Sequence, residues 1–399
     1  MARAEGLEPE ILWLLVKLAR ASSHRPLPLT GEGGEPLKFN TPDVLQEELM
    51  HIDQQLAGRI LSTDDQPISP GHQEKFMISA LREEAIASSM LEGAETTRRD
   101  AKEMLASGRK PRTRGEMMVA NNFEAMNFIR DHRNDPVTIE SLLRIQSILT
   151  AGTLDRPDEC GRFRTAVDDV SVTDKYGETL HTPPPASELP ERLRALCAFA
   201  NGKTGERFIH PVIRASVVHF QMGFDHPFCD GNGRTARTLF YWAMLKAGYW
   251  LFEYLPISRL IYAGPSKYAR AYLYTETDEF DVTYFLAYKA KIIGRARKEL
   301  GEYIARKQKE MSAARKVFES DFRLNHRQRA TILRVLRSPN MTVTIQEHQD
   351  KHAIAYGTAR TDLLDLEKWG YLLKIQVGNR FEFVSGPKMA AETVADPEP

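Results

Sequence analysis

His226-Pro227-Phe228-Cys229-Asp230-Gly231-Asn232-Gly233-Arg234-Thr235-Ala236-Arg237 is the stretch on which the reading of this chain turns. It brings a base, a hard-metal ligand, a glycine-framed turn and two cations together within twelve residues. Gly231 and Gly233 flank Asn232, so the backbone can take positive φ and turn its N–H groups inward as an anion nest. Directly after the turn an apolar helical run begins, Leu239-Phe240-Tyr241-Trp242-Ala243-Met244-Leu245. Arg234 and Arg237 stand three apart at its start, a spacing that predicts both guanidinium groups on one face beside the positive helix end. A polyphosphate suits such a place. Asp230 offers an oxygen to Mg²⁺, and His226 is the neutral-pH base of the stretch.

Competing motifs fail on spacing. A Walker loop needs Gly-Lys-Ser/Thr after its glycines, and no lysine directly follows these. An EF-hand starting at Asp230 would need Gly and Glu where Thr235 and Tyr241 stand. A plain helix-turn-helix joint explains the glycines but not His226, Asp230 and two arginines beside them.

The stretch resembles the signature of the Fic family, His-x-Phe-x-Asp/Glu-Gly-Asn-Gly-Arg-x-x-Arg, and meets every specified position. A looser likeness extends from about Leu45 to Leu286. The resemblance implies AMP transfer from ATP to a Ser, Thr or Tyr hydroxyl of a target protein, the chain itself included, with Mg²⁺ as cofactor. In that frame His226 takes the proton of the attacking hydroxyl and Asp230 holds Mg²⁺. Gly231, Asn232, Gly233 and Arg234 cradle the α- and β-phosphates, and Arg237 reaches the γ-phosphate. Tyr268 matches a family tyrosine near the adenine, although the second tyrosine common in the family is Ala269 here. Arg259 and Glu276 are candidates for the edge of the nucleotide site, with plain surface charges as the alternative.

A second motif lies upstream. Gln73 to Glu92 shows helical periodicity (Phe76, Met77, Ala80, Leu81, Ala85, Ile86), and Gly93 reads as its cap. A carboxylate at a helix C-terminus is disfavoured unless a cation compensates it. Ser88 to Gly93 also resembles the family's inhibitory motif, Ser/Thr-x-x-x-Glu-Gly/Asn. That resemblance implies that Glu92 pairs bidentately with Arg237 and leaves the γ-phosphate no seat, with Ser88 as the motif's first residue. Thr97-Arg98-Arg99-Asp100 reads as a capping box restarting a helix.

A third element is a hairpin. Val170-Ser171-Val172-Thr173 alternates as a short strand, Lys175 to Glu178 marks a turn, and His181-Thr182-Pro183-Pro184-Pro185 closes the unit. In Fic proteins a flap here pairs with the target's backbone, a strand addition that fixes the hydroxyl without reading much sequence. A hairpin without a partner is the alternative. His219, on an apolar helix, reads as a packed structural histidine. Cys229 occupies a variable signature position, and with His226 alone it makes no zinc site.

The chain has 399 residues, 42% hydrophobic and 27% charged, the balance of a soluble globular protein with two or three domains. A formal net charge of zero speaks against a dominant attraction to nucleic acid or membrane. Three scattered cysteines fit a reducing compartment, so the cytoplasm is the expectation. Ile11 to Val16 is apolar, but Lys17 and Arg20 interrupt it well short of a membrane span, and it reads as a packing helix. Arg25 to Leu37, rich in Pro and Gly, reads as a loop.

The expected fold class is therefore all-α. A helical N-terminal region with the inhibitory helix (1–110) precedes a Fic-type catalytic core with its hairpin flap (111–300). A charged helical linker (301–320) leads to a C-terminal winged helix (321–386) and a disordered tail (387–399). In the winged helix, Thr358, Arg360 and Thr361 open the third helix and Arg380 sits on the wing, positions suited to DNA or to a protein partner. A homodimer is also carried as a candidate assembly. Two rival functions remain open: removal of AMP or another phosphate-bearing transfer, and a nucleotide-sensing DNA-binding regulator. An intact His226 speaks against the last, since a sensor needs no base.

Overall fold

Apolar residues recurring three and four apart make helix the default along this chain. The computed structural model describes residues 8–56, 70–173, 176–203, 207–319, 321–337, 341–377 and 380–390. Helix α1 (Pro9–Ala21) is followed by strands β1 (Arg25–Thr30) and β2 (Pro36–Phe39), then α2 (Asp43–Leu56) and α3 (Pro70–Leu91). Next come α4 (Arg98–Ser107), α5 (Arg114–Asp131), α6 (Ile139–Thr150) and the hairpin strands β3 (Val172–Thr173) and β4 (Thr179–His181). Helices α7 (Leu189–Ala200), α8 (Pro211–Asp225), α9 (Asn232–Lys246), α10 (Ile257–Tyr262), α11 (Pro265–Thr277) and α12 (Thr283–Glu319) complete the larger part. The C-terminal part holds α13 (His326–Arg337), β5 (Val343–Thr344), α14 (Ile345–His352), α15 (Tyr356–Lys368), β6 (Leu372–Val377), β7 (Arg380–Ser385) and α16 (Pro387–Ala390). Helix dominates, as the periodicity predicts.

The chain divides into two compact units, one of Met1–Gly58 with Ile78–Lys298, the other of Arg59–Met77 with Glu299–Pro399. In the first unit α9 runs through the core and is buried on every side, with Leu239, Phe240, Trp242 and Met244 all but inaccessible. A helix that is buried all round can be apolar all round, and this one carries its polar groups at its N-terminal end. Around the end of α3, Ile86 joins Ala101, Met104 and Val119 in a smaller cluster with α4 and α5. Thr97 caps α4 by accepting the Asp100 N–H at 3.1 Å. Gly93, at φ 81°, ends the α3 turn in the left-handed conformation that a C-terminal cap requires.

Two expectations fail here. The Pro/Gly-rich segment from Arg25 to Leu37 is an antiparallel hairpin rather than a loop. Its alternation decides this: Leu27 and Leu29 are buried while Pro26 and Pro28 face outward, where a missing N–H breaks no ladder bond. Helix α1 buries none of its residues. Lys17 reaches Asp278 at 2.8 Å, Arg20 pairs with Asp281, and the Trp13 and Tyr284 rings meet at 6.4 Å. The turn Asp278–Asp281 offers carboxylates, so the cationic face is drawn inward and Ile11, Leu14, Leu15 and Leu18 are left exposed.

In the second unit the three strands lie in the order β5-β7-β6, all antiparallel, with Leu372 opposite Ser385 and Val377 opposite Arg380. Ile332, Val335, Leu363, Leu366 and Phe383 form its core. Residues 301–319 continue α12 without a break. Gly378 and Asn379, which join the last two strands, lie outside the described residues. The segment 387–399, expected as a disordered tail, begins as α16, because Met389 is buried in that same core; residues 391–399 lie outside the described ones. Among the described residues no helix is long and apolar enough to cross a membrane.

Candidate active site

The loop between α8 and α9 is built by local rules. His226 ends α8 in the left-handed region, at φ 44° and ψ 56°. For a non-glycine residue that conformation costs roughly 1–2 kcal/mol, and it swings the chain sharply off the helix. Phe228 is fully buried and stacks on Phe163 at 5.2 Å, which pins the loop to the core. Asn232 then closes it. Its Oδ1 accepts the Phe228 N–H at 2.9 Å and its Nδ2 donates to the Phe228 carbonyl at 2.8 Å. Gly231, at φ 86°, caps α9, and the first rung of that helix is the Thr235 N–H on the Gly231 carbonyl at 2.9 Å. The N–H groups of Asn232, Gly233 and Arg234 precede the ladder and face off the helix end, which favours an anion there. The side chain of Asn232 is thus a loop clasp, and its backbone is what faces the nest.

His226 presents one nitrogen. Its Nδ1 lies 3.1 Å from the Gly223 carbonyl. A carbonyl can only accept, so Nδ1 carries the proton and Nε2 keeps the lone pair. Burial pushes the imidazole pKa down to about 4; the Gly223 carbonyl and Glu92 oppose that, while His181 and Arg164 add to it. At neutral pH the ring is a free base.

The two arginines, expected to converge, are held by different partners on either side of the glycine turn. Arg234 is buried, with Nη1 on the Leu149 carbonyl at 2.9 Å and Nη2 on Asp230 Oδ2 at 3.2 Å. Arg237, also buried, donates from Nε to Ser88 Oγ and from Nη2 to the Ser88 carbonyl, both at 2.9 Å. The same Nη2 lies 3.0 Å from Glu92 Oε1. The contact with Glu92 is therefore single rather than bidentate: Ser88 takes the Nε–Nη2 edge, and Nη1, which a second carboxylate oxygen would need, makes no hydrogen bond to Glu92. Among the described residues, Arg237 Nη1 is buried and finds no hydrogen-bond partner. A Cβ on Gly233 would run into the Glu92 carboxylate, so glycine is what lets Glu92 come this close. Asp230 accepts the Gly231 N–H at 2.5 Å, and its side chain is 43% exposed.

Behind this layer lies a buried polar shell that the sequence did not reveal. Glu84, two turns before Glu92 on α3, accepts from Tyr241 Oη at 2.7 Å and from the Ser258 N–H at 2.8 Å, and also takes the Ser258 hydroxyl. Burial raises its pKa, against those donors and the Arg237 charge. His219 is fully buried, as expected of a structural histidine, with Nε2 2.8 Å from Tyr268 Oη and Nδ1 3.3 Å from Lys289 Nζ. Lys289 lies over the Phe240 ring at 3.5 Å, and burial brings its pKa down to about 7. Tyr268 is in electrostatic reach of Arg237. Gln146, fully buried, ties the Gly161 N–H (2.6 Å) to the Asp230 carbonyl (3.3 Å). The helical spacing of Glu84, Ser88 and Glu92, four residues apart each time, could have marked Glu84. Nothing local marked Gln146 or Lys289.

Of the hairpin residues, Val172 and Thr173 form β3, paired antiparallel with β4 as Val172 opposite His181 and Thr173 opposite Thr179. Val170 and Ser171 precede the strand, and 174–175 lie outside the described residues. Arg259 sits half-buried on α10. Glu276 pairs with His181 of the hairpin at 2.8 Å. Among the described residues, Glu159, Asp168 and Cys229 come close enough together to hold an ion. Asp168 is engaged by Arg156 and Arg162, and Glu159 by Arg156, so charge balance there is complete without a metal.

Residues 136–244, which include the whole loop, match the Fic/DOC family. The chain is similar to the "Protein adenylyltransferase Fic" of Nematostella vectensis, 30% identical over 129 residues, 32% of this chain and 28% of that one. It is similar too to "Protein adenylyltransferase fic-1" of Caenorhabditis elegans, 32% identical over 116 residues, 29% of this chain and 21% of that one. The matches span less than a third of these relatives' length. Among solved structures, a "Fic family protein from Desulfovibrio desulfuricans G20" superposes with a TM-score of 0.55 at 19% identity, covering 86% of this chain and 97% of that one. At that identity the likeness concerns the fold.

Proposed function

We propose that this chain, which carries a Fic/DOC domain over residues 136–244, transfers AMP from ATP to a Ser, Thr or Tyr hydroxyl of a protein. The observation that carries the reading is the His226 ring, whose Nδ1 is taken by the Gly223 carbonyl and so leaves Nε2 to act as the base, on the loop that leads into the N-terminus of α9. A hydroxyl placed there gives its proton to Nε2 as its oxygen bonds to the α-phosphorus. The bond from that phosphorus to the bridging oxygen of the β-phosphate breaks, and pyrophosphate leaves with those electrons. The backbone N–H groups of Asn232 to Arg234, with Arg234 itself, hold the phosphates, so most of the rate comes from positioning and charge neutralisation. Tyr268 and Arg259 are proposed to border the nucleotide, and Val170 to Thr173 to pair with the target backbone.

Asp230 fits a Mg²⁺ ligand, being one half-exposed carboxylate beside a phosphate nest, the donor set from which Mg²⁺ sites with substrate phosphates are made. Bound there, the ion would neutralise charge on the pyrophosphate. Regulation runs through Arg237. With Ser88 and Glu92 on its Nε and Nη2, this guanidinium offers a γ-phosphate only Nη1. Glu92 is accordingly proposed as an inhibitory residue that denies the γ-phosphate its seat.

The test compares two labels. Glu92→Gly protein is incubated with a cell lysate and ATP labelled at the α- or the γ-phosphate. Protein-bound label that depends on this chain is expected from the α-position alone. A γ-label that appears on protein only when this chain is added, beyond what the lysate's own kinases incorporate without it, would instead mean phosphoryl transfer and end this reading. The pH profile offers a second check. Because burial holds His226 down to about 4, its neutral form persists as pH falls, and the acid limb of transfer should lie near pH 4–5 (about 2 units below a free histidine's). A limb near pH 6.5 would mean that burial does not depress the base, and a limb that persists unchanged in His226→Ala would mean that another group is the base.

The C-terminal unit is proposed to be a winged helix. Thr358, Arg360 and Thr361 are exposed at the start of α15, and Arg380 is exposed on β7, which suits contact with DNA backbone or a protein. Chemistry should not need it. Ending the Glu92→Gly chain after Lys316 should leave AMP transfer within about twofold, as expected of a separable domain. A truncated protein that folds by circular dichroism but transfers no AMP would disprove that separation.

A further inference from the structure

We propose that His181 is a positioning residue that acts as an imidazolium, stitching the β3–β4 hairpin to the catalytic loop. His181 closes β4, and its ring meets two acceptors. Nδ1 is 2.8 Å from Glu276 Oε2 on α11, and Nε2 is 2.7 Å from the Phe224 carbonyl near the end of α8. A carboxylate and a carbonyl have no proton to give, so both ring nitrogens must donate, which only the protonated ring can do. The side chain is 10% exposed and lies against the Phe224 ring at 4.9 Å. Phe224 stands two residues before His226. Whatever fixes its carbonyl also fixes the chain that presents the base.

Arg164 makes a second stitch at the same seam. Its Nε donates to the His226 carbonyl at 2.8 Å, while Nη2 donates to the Pro184 carbonyl at 2.5 Å and the Asp225 carbonyl at 3.2 Å. Its own N–H reaches the Pro227 carbonyl at 2.8 Å. The hairpin that would carry a target and the chain that carries the base are thus joined through two side chains, one a permanent cation and one titratable. The consequence for target docking rests on the function proposed above; the stitch itself does not.

The charged groups facing His181 are Glu276 from α11, Asp225 from α8, and Arg164 and His226 from the loops. Asp225 is held by Arg192 at 2.7 Å and Gln221 at 2.8 Å. Burial disfavours a charged His181, but Glu276, the Phe224 carbonyl and Asp225 outweigh it, and the net shift is upward from 6.5. A raised folded pKa means that the stitch is complete at low pH and is lost as pH rises through that value.

The test reads amide hydrogen exchange of Thr179 to Thr182 in the full chain, corrected for intrinsic chemistry, at pH 6 and pH 9. Protection should fall by roughly tenfold or more between the two, the scale of one lost charge-assisted hydrogen bond. Glu276→Gln should show the weak protection at both pH values, and Glu276→Asp should restore part of it. An imidazole titration of His181 in the unaltered protein, followed by NMR, should have its midpoint above 6.5. A midpoint below that, pH-independent protection, or full protection in Glu276→Gln would overturn the proposal. None of these readouts uses activity. An inactive Glu92→Gly protein would therefore end the functional reading and leave the stitch standing.

Discussion

Replacing His226 by alanine is expected to cut AMP transfer, measured in the Glu92→Gly background, by on the order of 10²–10⁴-fold, the usual contribution of a positioned base. ATP affinity should change by less than about twofold, since no phosphate contact is assigned to this side chain. The split follows from the loop. The anion nest is backbone, set by the glycine cap and by Asn232 clasping Phe228, and none of this passes through the imidazole. The positive φ of residue 226 remains a mild strain for alanine as it is for histidine. Isothermal titration with a non-hydrolysable ATP analogue and single-turnover transfer assays would separate binding from chemistry. Undiminished transfer by this variant would mean that the base lies elsewhere.

The second large effect is release of Arg237. Glu92→Gly is expected to raise ATP affinity by roughly tenfold to thirtyfold. A charge-assisted contact is worth about 1.5–3 kcal/mol, and each 1.4 kcal/mol is about tenfold. The lower half of that range applies because Glu92 touches Arg237 through one oxygen and its side chain is 29% exposed. Transfer should rise by more than affinity, because an aligned α-phosphate is a condition for in-line attack. Ser88 keeps its two bonds in this variant, so the guanidinium stays oriented while Nη2 loses its counter-charge. Arg237→Ala should cancel the gain, and the double variant should be as poor as Arg237→Ala alone. High activity in that double variant would show that inhibition does not run through Arg237.

Much of this protein is legible without coordinates, for a physical reason that differs by element. Helices α3 and α8 announce themselves by apolar residues at helical spacing, and α9 by an apolar run that suits a helix buried all round. The turn before α9 announces itself because a left-handed cap selects glycine, and Gly231 takes φ 86°. The hairpin at Arg25 to Phe39 was hidden because prolines and glycines signal a loop, and only burial of Leu27, Leu29, Leu37 and Phe39 turns that segment into a sheet. Helix α1 misled in the other direction. Its apolar run reads as a packing helix, yet the carboxylates of Asp278 and Asp281 draw Lys17 and Arg20 inward and leave the apolar residues exposed.

By itself the sequence determined the chemistry available at the loop: which base, which carboxylate, which cations, and a backbone shaped to receive an anion. Those properties are local, since cap conformation and side-chain type depend on a few consecutive residues. Only the tertiary structure decided how the parts are engaged. It set Arg234 on Leu149 and Asp230 but Arg237 on Ser88 and Glu92, although the two arginines are three residues apart on one helix. It joined His181 to Glu276 and Phe224 across 95 and 43 residues. A helical period fixes which residues share a face but not which neighbour that face will meet. That choice belongs to packing, where buried donors and charges must find partners or bear the cost of desolvation.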